Sequence, residues 1–367
     1  MANTLGIRRF DYVEFYVGSA KMVAYWFAKS LGLKITGYMG PETGVKDKVS
    51  YYLCKNKLQF VVTGAPCPEN SQIWHPITHH GDGVKRFALN VDSVEHAFSY
   101  ALKNGAIPIH KPHRLKDEKG FVEEATIKVY DDAEICFTNR SEYKGLFKPG
   151  YEPPLDTMDL RCQDTGLLAI DHIVGNVRQN EMDHWANYLN KAMDFETFVD
   201  FGPGDISTQY SALLSKVVRS KDNVIKLPIN EPYLGLKMSQ IEEYIQEYRG
   251  TGIQHIAIST PDIISSIQAL RANGIDFLEV PDTYYDELRH RKIQISENLD
   301  DLQKLKILCD VEGQGYLLQI FTKPIGDRPT FFFEIIQRQK GAQGFGQGNF
   351  KALFEAIEHD QKRRGNW

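Results

Sequence analysis

GDGVKRFALNVDSVEHAFSYALKNGAIPI, residues 81–109, returns as GTGIQHIAISTPDIISSIQALRANGIDFL, residues 250–278. Both copies run Gly-x-Gly, a short strand, an amphipathic helix and a closing glycine, Gly105 or Gly274. A glycine there suits the left-handed residue that ends a helix. Thr260 with Pro261 predicts an N-cap followed by proline at the first helical position, and Asp92 with Glu95 predicts a capping box. Moving outward, DYVEFYVGSAKMVAYWFAKSLGLK from Asp11 reads against DHIVGNVRQNEMDHWANYLNKAMDF from Asp171. Met182, Trp185, Leu189 and Met193 fall at helical spacing and predict a buried face. Strand-rich runs close each half, ATIKVYDDAEICFTNR in the first and GYLLQIFTKP with PTFFFEIIQR in the second. The chain therefore holds four related β-α-strands modules, two in each half. The stretch 141–166 has neither period and is rich in Pro, Gly and acidic residues. The expected division is a domain at 1–145, a linker at 146–166 and a second domain at 167–367.

A length of 367 residues favours two domains over one core. With 42% hydrophobic and 25% charged residues, the composition is that of an ordinary soluble globular protein. A net charge of −5 gives no support for nucleic-acid binding. No stretch is long and apolar enough for a membrane span, and the N-terminus lacks the apolar core of a signal peptide. The five cysteines are scattered and never form a C-x-x-C pair. Free thiols in a reducing compartment follow, so the expected location is the cytosol. Lys362, Arg363 and Arg364 read as a solvated helix end.

Comparing the halves exposes a chemical difference. His172 in AIDHIVGNV, His255 in GTGIQHIAIST and Glu334 in PTFFFEIIQR occupy three strand-like runs of the second half. The matching positions in the first half are read as Tyr12, Arg86 and, through a gapped alignment, Asn139. Two imidazoles and one carboxylate on one side of a metal leave open positions opposite, which is the ligand set of non-haem Fe(II) oxygenases. Strand alternation puts Phe332, Glu334 and Ile336 on one face, with Phe331, Phe333 and Ile335 on the other. An unpaired carboxylate in so apolar a run is costly, and a metal removes that cost. The competing reading pairs Glu334 with an arginine or a solvated edge, and each histidine alone reads as a satisfied core residue. His75, His79 and His80 form a rival cluster in a Pro-containing loop, without a carboxylate on an apolar strand. His110, His113, His184, His290 and His359 read as surface residues.

DHIVGN, LPINEP, SQIEEY, GIQHIA, GYLLQIFTKP, DRPTFFFEIIQR and GFGQGNFKALFEAIE together resemble the 4-hydroxyphenylpyruvate dioxygenase family, within the vicinal-oxygen-chelate superfamily. GPETG and HGDGV carry the resemblance more weakly through the first half. It implies an α+β fold in which βαβββ modules pair into two open barrels, with a C-terminal helix closing over the second at 349–363. It further implies one Fe(II) per chain, held in the C-terminal barrel by His172, His255 and Glu334. Ser215, Asn230, Gln240, Gln254 and Gln319 are the implied polar lining of a substrate pocket. Phe321, Phe332, Phe345, Asn349 and Phe350 are its implied aromatic wall and closing segment. Gln254 is awkward, because its neighbour His255 faces the other way in a regular strand; a bulge or strand end is required. The implied partners are a small 2-oxo acid and dioxygen, in a homodimer or homotetramer, with homogentisate and carbon dioxide as products of tyrosine and phenylalanine catabolism. The alternatives are a hydroxymandelate synthase, which oxidises the benzylic carbon, and an inactive binding homologue. Pro228 with Asn230 favours the dioxygenase.

The tail admits a mechanical reading. Gly344, Gly346 and Gly348 precede a helix whose Phe350, Leu353, Phe354 and Ile357 form one apolar stripe. A lid on a glycine hinge is expected, against the alternative of a permanently docked helix.

Overall fold

The computed structural model describes residues 3–154, 161–202, 212–233, 235–291 and 293–366. The first module comprises β1 (Ile7–Tyr16), α1 (Ala20–Leu31), β2 (Lys34–Met39), β3 (Val49–Lys55) and β4 (Leu58–Gly64). After α2 (Ser71–His80), the second comprises β5 (Gly83–Val91), α3 (Val94–Lys103), β6 (Pro108–Asp117), β7 (Gly120–Val129) and β8 (Ala133–Asn139). The third contains β9 (Ala169–Asn176), α4 (Met182–Ala192), β10 (Phe195–Phe201), β11 (Ala212–Ser220) and β12 (Lys226–Tyr233), followed by α5 (Gln240–Tyr248). The fourth begins with β13 (Gly252–Ser259) and α6 (Ile263–Ala272), and inserts α7 (Asp282–His290) and α8 (Leu299–Leu305). It ends with β14 (Leu308–Glu312), β15 (Gly315–Phe321) and β16 (Phe332–Gln339), and α9 (Phe350–Arg364) closes the chain.

The strands form two open eight-stranded sheets of identical order: β2-β3-β4-β1-β5-β8-β7-β6 and β10-β11-β12-β9-β13-β16-β15-β14. In each, the first strands of the two modules, β1 with β5 and β9 with β13, pair antiparallel at the centre. The fold is thus α+β with four βαβββ modules in two open barrels, as the resemblance implies and in keeping with the four repeated modules. Met182, Trp185, Leu189 and Met193 are all buried.

Alternation along β16 gives the sheet two uses. Phe331 and Phe333 pack against the first half, with ring centroids 5.3 Å from Phe15 to Phe331 and 5.8 Å from Phe60 to Phe333. Phe27 lies 5.8 Å from Phe333, which is fully buried. Truncating such a side chain costs about 3–5 kcal/mol. The opposite face of the same strand carries Glu334. The strand that bears the carboxylate is therefore clamped from behind by the first half.

Several local expectations are corrected. The cap of α3 is Ser93, whose side chain accepts from the His96 amide, so Asp92 and Glu95 form no capping box. Asp92 is engaged by Arg8 instead. The cap of α6 is Asp262, two residues beyond Thr260, whose hydroxyl accepts from the Asp262 amide. WHPITHH is the body of α2 rather than a loop, because Ile73 and Ile77 share a face that packs on Ala65. His80 is buried there, with Nδ1 2.6 Å from the Tyr248 carbonyl and Nε2 3.2 Å from Asp132. The segment after β8 does more than connect: Phe147, Lys148 and Tyr151 are buried in the first half. Residues 155–160 of the expected linker lie outside the described residues.

Candidate metal centre and pocket

Three neighbouring strands supply the candidate ligands. In the pairing of β13 with β9, Ala257 stands opposite His172; in the pairing of β13 with β16, it stands beside Glu334. His255 lies two residues before Ala257 on the same strand, so all three side chains emerge on one face. His172 Nε2 lies 3.2 Å and His255 Nε2 3.4 Å from Glu334 Oε2. All three ligand atoms lie within 4.8 Å of one another, and all three residues are buried. Bonds of about 2.0–2.2 Å, usual for a first-row ion on imidazole and carboxylate, put adjacent ligand atoms about 3 Å apart. The donor set and its spacing fit such an ion. Among the described residues, no other group of His, Cys, Asp and Glu offers three ligand atoms so close together.

The rest of each imidazole is engaged. His172 Nδ1 is 2.8 Å from Asp171 Oδ1, and His255 Nδ1 is 3.0 Å from Gln254 Oε1. Holding Nδ1 in this way fixes the tautomer whose Nε2 lone pair faces the centre. Burial opposes the charge on Glu334, but the two imidazoles outweigh it and hold the carboxyl at about 2. Burial also lowers His172, yet Glu334 and Asp171 raise it overall; for His255 burial prevails and the ring is pushed down. Asp171 opposes its own burial through Arg338 and His172, which keep it well below the usual carboxylate range.

A largely apolar cavity opens over these ligands, with a few polar side chains converging on it, the character of a small-molecule site. Ser215 and Asn230, directly opposite each other on β11 and β12, both line it. Gln240, Gln254 and Gln319 add polar groups. Gln319 Oε1 is buried without a hydrogen-bond partner among the described residues and lies against Gly346. Gln254 reaches the cavity beside His255 because the β13–β9 register shifts between Ile253 and His255. That is the irregularity its position requires. Phe321, Phe332, Phe345 and Phe350 form an aromatic wall. Phe332 stacks on His255 at 4.8 Å, and Phe345 meets the His172 ring at 5.2 Å. Asn349 is apart from that lining: it is fully buried, and its Oδ1 accepts from the Tyr284 hydroxyl at 2.7 Å. It anchors the start of α9, whose Leu353, Phe354 and Ile357 do face the cavity.

Two structural partners escaped the sequence reading. Asp171, beside His172, is gripped by Arg338 through Nε and Nη2 at 2.9 and 2.8 Å. The signal was present, since Asp11 and Arg140 repeat the pair in the first half, at 3.0 and 2.7 Å. The same spacing corrects one match between the halves. Arg86 corresponds to His255, and β5 pairs Arg86 with Glu134 where β13 pairs His255 with Phe332. Two residues on, the counterpart of Glu334 is Cys136, not Asn139. Asn139 instead donates to the Val91 carbonyl at 3.0 Å, at the end of its strand.

The Glyoxalase/Bleomycin resistance protein/Dioxygenase superfamily model matches residues 169–294. The chain is 43% identical over 364 residues to the 4-hydroxyphenylpyruvate dioxygenase of Dictyostelium discoideum, covering 97% of this chain and 99% of that one. This chain belongs to the 4-hydroxyphenylpyruvate dioxygenase family. The Xenopus tropicalis member is 43% identical over 365 residues, 97% of this chain and 92% of its own. Among solved structures, a triple mutant of 4-hydroxymandelate synthase from Streptomyces coelicolor superposes with a TM-score of 0.85. It is 27% identical and covers 97% of this chain and 99% of its own. The family assignment extends over both barrels, not only the half that carries the candidate ligands.

Proposed function

We propose that this chain is an Fe(II)-dependent dioxygenase that converts 4-hydroxyphenylpyruvate and dioxygen to homogentisate and carbon dioxide. The carrying observation is the buried, convergent set of His172, His255 and Glu334 beneath a cavity with an aromatic wall. Near-full-length identity to named 4-hydroxyphenylpyruvate dioxygenases supports the choice of substrate. One ferrous ion per chain is assigned to the three ligands. When bound, it supplies the redox centre that activates dioxygen and a Lewis acid for the 2-oxo acid group.

The residues present do the rest by placement. His172, His255 and Glu334 would hold the ion from the strands, leaving the cavity side open to the substrate's 2-oxo acid group and dioxygen. Asp171 and Gln254 hold the two rings by Nδ1 and keep each Nε2 unprotonated toward the centre. Phe332 and Phe321, beside His255, suit the flat face of the aromatic ring. Ser215, Asn230, Gln240, Gln254 and Gln319 are assigned the polar ends of the substrate. Phe345, Asn349, Phe350 and the inner face of α9 are assigned to closure, which keeps water from the oxidation. Decarboxylation of the substrate supplies the electrons, so one oxygen atom enters the new carboxylate and the other the ring, without an external reductant. The domain division at 1–145 and 167–367, a homodimer or homotetramer and a cytosolic setting belong to the same proposal; free cysteines support the last.

A second reading rests on the fold's likeness to hydroxymandelate synthase. The deciding experiment loads the protein anaerobically with Fe(II) and 4-hydroxyphenylpyruvate, admits oxygen and identifies the product. Homogentisate is expected. Hydroxymandelate favours the second reading, and no oxygen uptake defeats both.

A further inference from the structure

The Arg338 guanidinium has three sets of partners, and they lie in different parts of the site. Nε and Nη2 take both oxygens of Asp171, whose Oδ1 in turn meets His172 Nδ1. Nη1 donates 2.6 Å to the carbonyl of Gly344, at the root of the tail that leads into α9. The next residue, Phe345, lies with its ring 5.7 Å from the guanidinium carbon and 5.2 Å from the His172 ring. One planar cation thus holds the outer edge of a candidate ligand and the peptide that aims Phe345 at the same ligand.

The first half separates architecture from this task. Arg140 grips Asp11 with the same two-pronged geometry, but the residue after Asp11 is Tyr12, which has no Nδ1. Arg140 then bonds Gln59 and lies 4.9 Å over the ring of Phe147, in the segment after β8, but among the described residues it makes no hydrogen bond to that segment's backbone. The clasp therefore belongs to the module. What the second half adds is an imidazole at one end, in place of a tyrosine, and a hydrogen bond to the backbone of the following segment at the other.

Resting on the proposed metal reading, the geometry points to Arg338 as a positioning residue that couples the closing tail to the orientation of His172. Loss of tail contact loosens Asp171 and with it the ring; loss of Asp171 frees the guanidinium and loosens the tail. A planar three-way fork can do this where a lysine ammonium cannot.

The test compares Arg338→Lys with Arg140→Lys in the full chain. Measured are Fe(II) affinity under anaerobic conditions, hydrogen exchange across residues 342–350, and thermal stability. Arg338→Lys is expected to weaken Fe(II) binding about 10-fold or more, the range for partners behind metal ligands, and to speed tail exchange. Arg140→Lys is expected to lower thermal stability with iron affinity and tail exchange unchanged. Asp171→Asn, approaching from the other end, should also speed tail exchange, which gives a second arm should Arg338→Lys not fold. Normal iron affinity in Arg338→Lys, unchanged tail exchange in either second-half variant, or equal effects from Arg140→Lys overturns the inference. A wild-type protein that takes up no iron overturns the metal reading and this inference together.

Discussion

The Lys148 ammonium donates to the Tyr12 hydroxyl at 2.8 Å, where the second barrel carries His172 in place of tyrosine. The same ammonium lies 2.5 Å from Glu124, the counterpart of Gln319 by strand register. A tethered cation thus fills the first barrel at the level where the second presents its candidate ligands. Phe147 and Tyr151 close in around it from the same segment. The first half is a scaffold with its interior occupied by its own side chains.

Removing that cation should unfold, not inactivate. Lys148→Met leaves Glu124 buried without its partner, a change that costs about 3–5 kcal/mol. Denaturant unfolding should show this loss, while an iron titration of the folded fraction stays at the wild-type affinity.

Glu334→Ala should lose iron and turnover together. Partners behind a ligand already cost about 10–100-fold in affinity, so loss of the ligand itself should exceed about 100-fold. Iron content after desalting and oxygen consumption are the two readouts; normal values in both would remove Glu334 from the site.

Iron affinity should fall on acidification. In the metal-free protein His172 is raised by Glu334 and Asp171 against its burial, whereas Glu334 stays ionised down to about 2. A proton on His172 therefore competes with metal up to a higher pH than on an ordinary imidazole. Below that point affinity should drop about tenfold per pH unit, and above it level off. A flat profile from mildly acidic to neutral pH would contradict this account.

Gly346→Ala should injure the pocket as well as the backbone. Gly346 sits at φ 77°, and a Cβ there would lie 2.1 Å from Gln319 Oε1. The left-handed backbone alone costs a side chain about 1–2 kcal/mol. The Gln319 side chain must also move, so KM for the 2-oxo acid should rise with the loss of stability, as steady-state kinetics and thermal melts would show.

The α9 helix should exchange its amide hydrogens more slowly when a substrate analogue is bound. Its inner face, Leu353, Phe354 and Ile357, lines the cavity, and Arg364 holds its far end to Glu243 at 2.6 and 3.0 Å. Equal protection with and without ligand would identify a permanently docked helix.

Periodicity and repetition determined much of this protein. Residues 81–109 and 250–278 each specify a strand and a helix, because apolar spacing alone selects which face is buried. Once the copies are aligned, the difference between Tyr12 and His172 locates the candidate chemistry in the second half. Glu334 was legible because a carboxylate in TFFFEII needs a partner. Tertiary structure decided what periodicity cannot encode. Gln254 and His255 share the cavity only because of a register shift between two strands. Cys136 rather than Asn139 answers to Glu334 because parallel pairing, not linear alignment, sets the match. Arg338 reaches Asp171 across 167 positions, and Lys148 enters the first barrel from a stretch without helical or strand period. Such contacts depend on where separate strands come to lie, and no local pattern carries that information.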